Sequence, residues 1–242
     1  CEPLPPPIPA IPVDAIRPFL ERHVVASAEE INSAPYLVEF VEEHISGSPG
    51  DRFYARSIMD AGHPSYVVVR PGKPYHDPQT GEILAYEATF VGDAHLERTG
   101  DPATLKMGSS QIEALIGDRL LASDEDHRLE PFYPKPPDRN VEGQIISVIN
   151  GVQEIGQYQT VVLNRGSVDG LRSGDVLDAL QGGYRQKDTV RTSRSFVRPL
   201  EKSGLLMVYK TYDRVSLALV LYATRALHVL DRVANPGSTD AG

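Results

Sequence analysis

The sequence predicts a mainly β protein with a few short helices. It reads as two small barrel-like modules, SH3-like or partly open, behind a proline-rich N-terminal tether. Three observations predict this. Short runs rich in β-branched and aromatic residues recur along the chain. Turn residues separate them. A Gly-Asp signal before an apolar strand start also returns, at Gly50-Asp51, Gly117-Asp118 and Gly174-Asp175, with Leu230-Asp231 as a degenerate fourth. Glycine permits positive φ at such a turn, and aspartate accepts backbone N–H bonds across it.

The elements follow in order. Residues 1–20 carry Pro3, Pro5, Pro6, Pro7, Pro9, Pro12 and Pro18. Proline fixes φ and removes a donor, so this stretch is expected to be an extended, semi-rigid tether. A short helical turn is expected over 14–22. Residues 21–48 form a lead-in, where Ser27-Ala-Glu-Glu30 has capping-box spacing and predicts a helix ending before Pro35. The first β module spans 49–123, with strands over 66–70 and 83–91. Its expected turns are Pro71-Gly72, Thr80-Gly81 and 98–101, and Asp101 or Pro102 opens a further short helical turn. Residues 124–140 are a charged, proline-rich linker holding Pro131, Pro134, Pro136 and Pro137. The second module spans 141–236, with strands over 141–148, 160–163, 204–209 and 215–222. Turns are expected at Asn150-Gly151, Asp169-Gly170 and Gly182-Gly183. A flexible tail, 237–242, ends the chain. The internal similarity is cut into three segments, 81–121, 143–177 and 204–233.

Charge and composition exclude several function classes. The chain has 24 Lys+Arg against 33 Asp+Glu, a formal net charge of −9. That argues against a broad nucleic-acid surface and against docking on anionic lipid. One local stretch runs the other way. Arg185, Lys187, Arg191, Arg194 and Arg198 lie together with Asp188 as the only acid among them. It reads as a solvated hairpin loop, with a binding loop for an acidic polymer as the alternative. The single cysteine is Cys1, so no intrachain disulfide and no cysteine-ligated zinc site is expected. A first residue other than Met is expected of a processed or trimmed chain. Cys1 is then either a chain boundary, the favoured reading, or the lipid-bearing residue of a lipoprotein. The longest apolar stretch, 215–223, falls far short of the ~20 residues that cross a bilayer.

Chemistry-bearing motifs are sparse. His76-Asp77 is the nearest thing to a local dyad and reads as a polar turn between prolines. Neither a Gly-x-Ser-x-Gly elbow nor a P-loop is present. Neighbouring carboxylates such as Glu29-Glu30 and Glu42-Glu43 occur in any acidic chain. No catalytic residue, metal ligand or cofactor is assigned. The glycan-binding candidates are Gln157, Tyr158 and Gln159, because amides suit sugar hydroxyls and an aromatic face suits a pyranose ring. A barrel-wall tyrosine flanked by solvated glutamines is the competing reading.

Several stretches together resemble one family. They include Gly50-Asp-Arg-Phe-Tyr-Ala-Arg56, Arg70-Pro-Gly-Lys-Pro74 and Gly117-Asp-Arg-Leu-Leu121. The most distinctive is Glu154-Ile-Gly-Gln-Tyr-Gln-Thr-Val-Val-Leu-Asn-Arg-Gly166, followed by Asp169-Gly-Leu-Arg-Ser-Gly-Asp-Val176. From about residue 9 to about residue 236 the chain resembles the C-terminal region of proteobacterial LysM-domain, peptidoglycan-binding proteins. The LysM opening itself, a Tyr-Thr-Val-x-x-Gly-Asp-Thr-Leu-like pattern, is not found. The resemblance implies a periplasmic or cell-envelope setting and a non-enzymatic role. It implies two partners, peptidoglycan through a separate LysM module and an envelope protein. Three functions stand open: a scaffold or partner-binding module, a direct glycan-binding module, and a cell-wall hydrolase.

Overall fold

The computed structural model describes residues 23–42, 45–58, 62–123, 133–149, 155–190 and 194–238. The chain divides into two compact units. One gathers the strands before residue 123. The other gathers those after 133, together with the turn His76–Glu82.

The first unit begins with β1 (His23–Ala26) and α1 (Ala28–Ser33). The capping box forms as the sequence predicts: Glu30 N–H donates to Ser27 Oγ at 3.0 Å, and Ser27 N–H donates to Glu30 Oε2 at 2.7 Å. The helix stops at Ala34, before Pro35, and buries Ile31. Six strands follow: β2 (Tyr36–Phe40), β3 (Arg52–Arg56), β4 (Ser65–His76), β5 (Ile83–Arg98), β6 (Ala103–Ser110) and β7 (Arg119–Ala122). They pair in the order β5-β4-β7-β2-β3-β6, and β6 pairs back to β5. The hydrogen-bonded wall is therefore a ring. β1 pairs alongside β5 over Tyr86–Thr89.

The second unit holds β8 (Glu142–Val148), β9 (Thr160–Leu163), a 3-10 turn (Ser167–Asp169), β10 (Val176–Gln181), β11 (Arg185–Lys187), β12 (Ser195–Val197), β13 (Glu201–Thr211), β14 (Ser216–Ala223) and β15 (Arg232–Ala234). β11 and β12 form a separate two-stranded ribbon. The other six strands close a barrel in the order β10-β13-β14-β9-β8-β15. Numbered within each unit, this is the strand order of the first ring: β2 to β7 correspond one to one with β8, β9, β10, β13, β14 and β15. The two units are copies of one topology.

Alternate residues of each strand point inward, as period-2 patterning requires. Matching positions fill both interiors. Leu37, Phe53, Val68, Leu105, Met107 and Leu120 pack in the first. Ile145, Val161, Ala179, Ala218, Val220 and Val233 occupy the corresponding places in the second. Burying each large side chain contributes about 1.5–3 kcal/mol. Rings filled in this way are packed cores.

The Gly-Asp signals make the turns that the sequence predicts. In each, the aspartate carboxylate accepts the N–H three residues back: Ser48 to Asp51 at 2.7 Å, and Leu115 to Asp118, Arg172 to Asp175 and His228 to Asp231 at 2.8 Å. The residue before each aspartate has positive φ: Gly50 +96°, Gly117 +94°, Gly174 +93° and Leu230 +76°.

Several expectations change. The three-segment repeat is a two-fold one. Segment 81–121 matches 204–233, whereas 143–177 matches the chain before residue 65, because the same turn recurs at several joints within each barrel. Tyr36–Phe40, expected in the lead-in, is a wall strand that pairs with both β3 and β7. Pro71-Gly72 lies inside β4 rather than at a turn. β7 pairs with β4 only over Tyr66–Val69, so Pro71 lies past that pairing, where its missing N–H is tolerated. No helical turn starts at Asp101 or Pro102; the chain there joins β5 to β6. Part of the expected linker belongs to the second barrel, where Val176 N–H donates to Lys135 O at 2.8 Å. The expectations for 1–22, for Asn150-Gly151 and for 124–132 lie outside the described residues.

Candidate functional site

Gln157, Tyr158 and Gln159 lie at the turn that leads into β9. This is a fifth copy of the aspartate turn, with glutamine in the acceptor role. Gly156 N–H donates to Gln159 Oε1 at 2.7 Å. Tyr158 sits at φ +64°, where Gly50 sits in the first barrel. The backbone bonds match as well. Tyr158 N–H reaches Val220 O at 2.8 Å, and Gly50 N–H reaches Met107 O at 2.9 Å. Gln157 Nε2 donates to Leu221 O at 2.8 Å. The structure thus brings the three together, with both amides engaged on the backbone and the Tyr158 ring half exposed. The sequence signal that could have shown this is the i, i+3 spacing of Gly156 and Gln159, hidden by the absence of both glycine and aspartate from the usual places.

Several other titratable groups hold structure. Arg70 Nε donates to Asp118 Oδ1 at 2.9 Å, and its Nη2 reaches Glu113 O at 2.8 Å. At the matching place in the second barrel, Gln181 Nε2 donates to Asp231 Oδ2 at 2.8 Å and to Ala226 O at 2.7 Å. Asp175 is buried, and loss of solvent holds its carboxyl above the ordinary 3.8, outweighing the bond from Arg172 N–H. Burial likewise pushes the Tyr209 phenol far up. His76 Nδ1 lies 3.1 Å from Gly81 O, closing the turn it belongs to. Among the described residues, no group of three His, Cys, Asp or Glu side chains is placed to hold a metal. A hollow of about 110 Å³ over Val41, Glu42, Gly50, Asp51 and Arg52 is small beside the roughly 300–1,000 Å³ of ordinary ligand sites.

The basic stretch builds the most exposed element. Gly182 and Gly183, at φ +122° and +75°, turn the chain out of β10, and β11 and β12 then pair antiparallel. The register sets Arg185 opposite Val197, Gln186 opposite Phe196 and Lys187 opposite Ser195. Directly paired residues share a face. Arg185 and Lys187 therefore lie on one face, and Phe196 on the other. Tyr184 and Arg198 continue the Phe196 face: Arg198 Nη1 donates to Tyr184 Oη at 2.8 Å, with the guanidinium 5.9 Å from the ring centre. Every residue of both strands is exposed. Arg185, Lys187 and Arg194 have no ion-pair partner among the described residues. The sequence showed the charge here; the aromatic half of the element, Tyr184 and Phe196, became visible only with the strand register.

No family model matches the sequence. No curated protein matches it either. No described helix is long and apolar enough to cross a membrane.

Proposed function

We propose that this chain is a non-catalytic cell-envelope module, a scaffold or partner-binding region that accompanies a separate LysM peptidoglycan-binding domain. One observation carries the reading. Both barrels are closed and filled with apolar side chains, and their recurrent carboxylates are engaged in holding turns. That leaves binding to the outer surface. The envelope setting rests on the sequence resemblance. Incubation of the purified chain with peptidoglycan, followed by chromatography of the soluble products, tests the reading. The expected result is no release of fragments. Turnover that a single point substitution abolishes would overturn it in favour of a hydrolase.

A further inference from the structure

The ribbon of β11 and β12 differs from every other paired segment of the described chain in being wholly exposed. Two-stranded ribbons are marginal in water, and this one presents large apolar groups as well as charge. Tyr184 is 52% exposed, Phe196 49% and Val197 59%. Lysine and arginine alone would be explained as guards against strand addition at a free edge. Guarding does not call for a phenol and a phenyl ring on one face.

Tyr184 and Phe196 are diagonal neighbours on that face, about 7–8 Å apart in an antiparallel pair. Arg198 is held beside the Tyr184 ring with Glu201 4.0 Å from its Nη2, and Arg194 follows Phe196 on the same side, across from Asp188. Arg185 and Lys187 stand at alternate positions behind them, roughly 6–7 Å apart along the strand. The arrangement is open and linear, suited to a polymer lying along it. Its cations are few and widely spaced. Duplex DNA carries one charge per ~1.7 Å, and a chain of net charge −9 repels so dense a polyanion, as it repels an anionic membrane surface. A polymer of rings with about one carboxylate each meets both features at once. Guanidinium groups take carboxylates in paired hydrogen bonds, and aromatic faces cover the apolar faces of sugar rings.

We propose that the ribbon, through Tyr184, Phe196, Arg194 and Arg198 with Arg185 and Lys187 in support, binds an anionic, carboxylate-bearing glycan. This names a ligand class for the binding-module reading and rests on it. Turnover and retention are separate readouts, so peptidoglycan cleavage would sink the module reading whatever the ribbon does.

The test is affinity chromatography of the full chain on immobilised polygalacturonate, with neutral dextran, duplex DNA, polyglutamate and phosphatidylglycerol vesicles as comparators. Retention on polygalacturonate is expected, lost with rising salt, with none on dextran. The double variant Arg194→Glu, Arg198→Glu, on the aromatic face, is expected to bind at least tenfold more weakly, and Arg185→Glu with Lys187→Glu, on the opposite face, to weaken binding less. Phe196→Ala is expected to weaken binding severalfold with its melting temperature and salt dependence unchanged. Failure of the wild-type chain to be retained overturns the proposal. So does equal binding to DNA, polyglutamate or vesicles with no effect of Phe196→Ala, which would reduce the ribbon to a general anion contact.

Discussion

The two barrels share a ring of strands and part company in one connection. Between β4 and β5 the first barrel extends its own wall. Both strands run on to the turn at His76–Glu82, β1 pairs along β5, and Tyr75, Leu84 and Ala85 are buried. In the second barrel the chain leaves the wall at Gly182 and Gly183, and β11 and β12 form a separate ribbon. The comparison separates two kinds of constraint. Wall positions are held by packing and by turn geometry, so they correspond residue by residue. The connection closes no part of the ring, so the copies differ there in burial, charge and pairing.

The largest expected contrast lies in a matched polar pair. Asp118 is 2% exposed and paired with Arg70, whereas Asp231 is served by neutral Gln181. Arg70→Met strands a buried carboxylate and should cost about 3 kcal/mol. Gln181→Met removes a neutral bond and should cost about 1 kcal/mol. Urea denaturation measures both, and equal losses would break the correspondence.

Smaller effects sharpen the turn comparison. Gly174 sits at φ +93°, and a Cβ there would lie 3.1 Å from Tyr133 O. Gly174→Val should therefore destabilise by about 2 kcal/mol. Leu230 holds the equivalent of the Gly117 position at φ +76°, so Leu230→Gly should instead stabilise by about 1 kcal/mol. A melting temperature that falls in the second variant would show that Leu230 is not strained.

The smallest effect is a pH dependence. Burial raises the Asp175 carboxyl above 3.8, so between 3.8 and its raised value the folded chain binds more protons than the unfolded one. Its contribution to stability therefore falls as pH rises through that window. Asp175→Asn keeps an oxygen for Arg172 N–H and cannot ionise. The variant should gain on the wild type between pH 3.5 and pH 7 in urea midpoints. A gap that narrows instead would reverse the assignment.

What could be read from the sequence follows the same division. Gly50-Asp51, Gly117-Asp118 and Gly174-Asp175 were legible because a tight turn with positive φ strongly favours one residue type. Leu230-Asp231 was legible only by analogy with them. Tyr158-Gln159 was opaque, since a tyrosine at positive φ carries no compositional sign. Pro71-Gly72 misled because turn composition is also tolerated where a strand has run past its neighbour. Of the ribbon, the cations stood out in the sequence. Tyr184 and Phe196 did not, because which rings share a face is set by register, and register depends on partners far along the chain.

The pairing of β2 with β7 and of β8 with β15 has one more consequence. In each barrel the first strand hydrogen-bonds to the last, so entry and exit lie side by side. A unit whose ends meet can be spliced into a chain, set in tandem or circularly permuted with a short connector and no rerouting of its wall. Such modularity lets a compact part be copied once and then carry an addition on one copy alone.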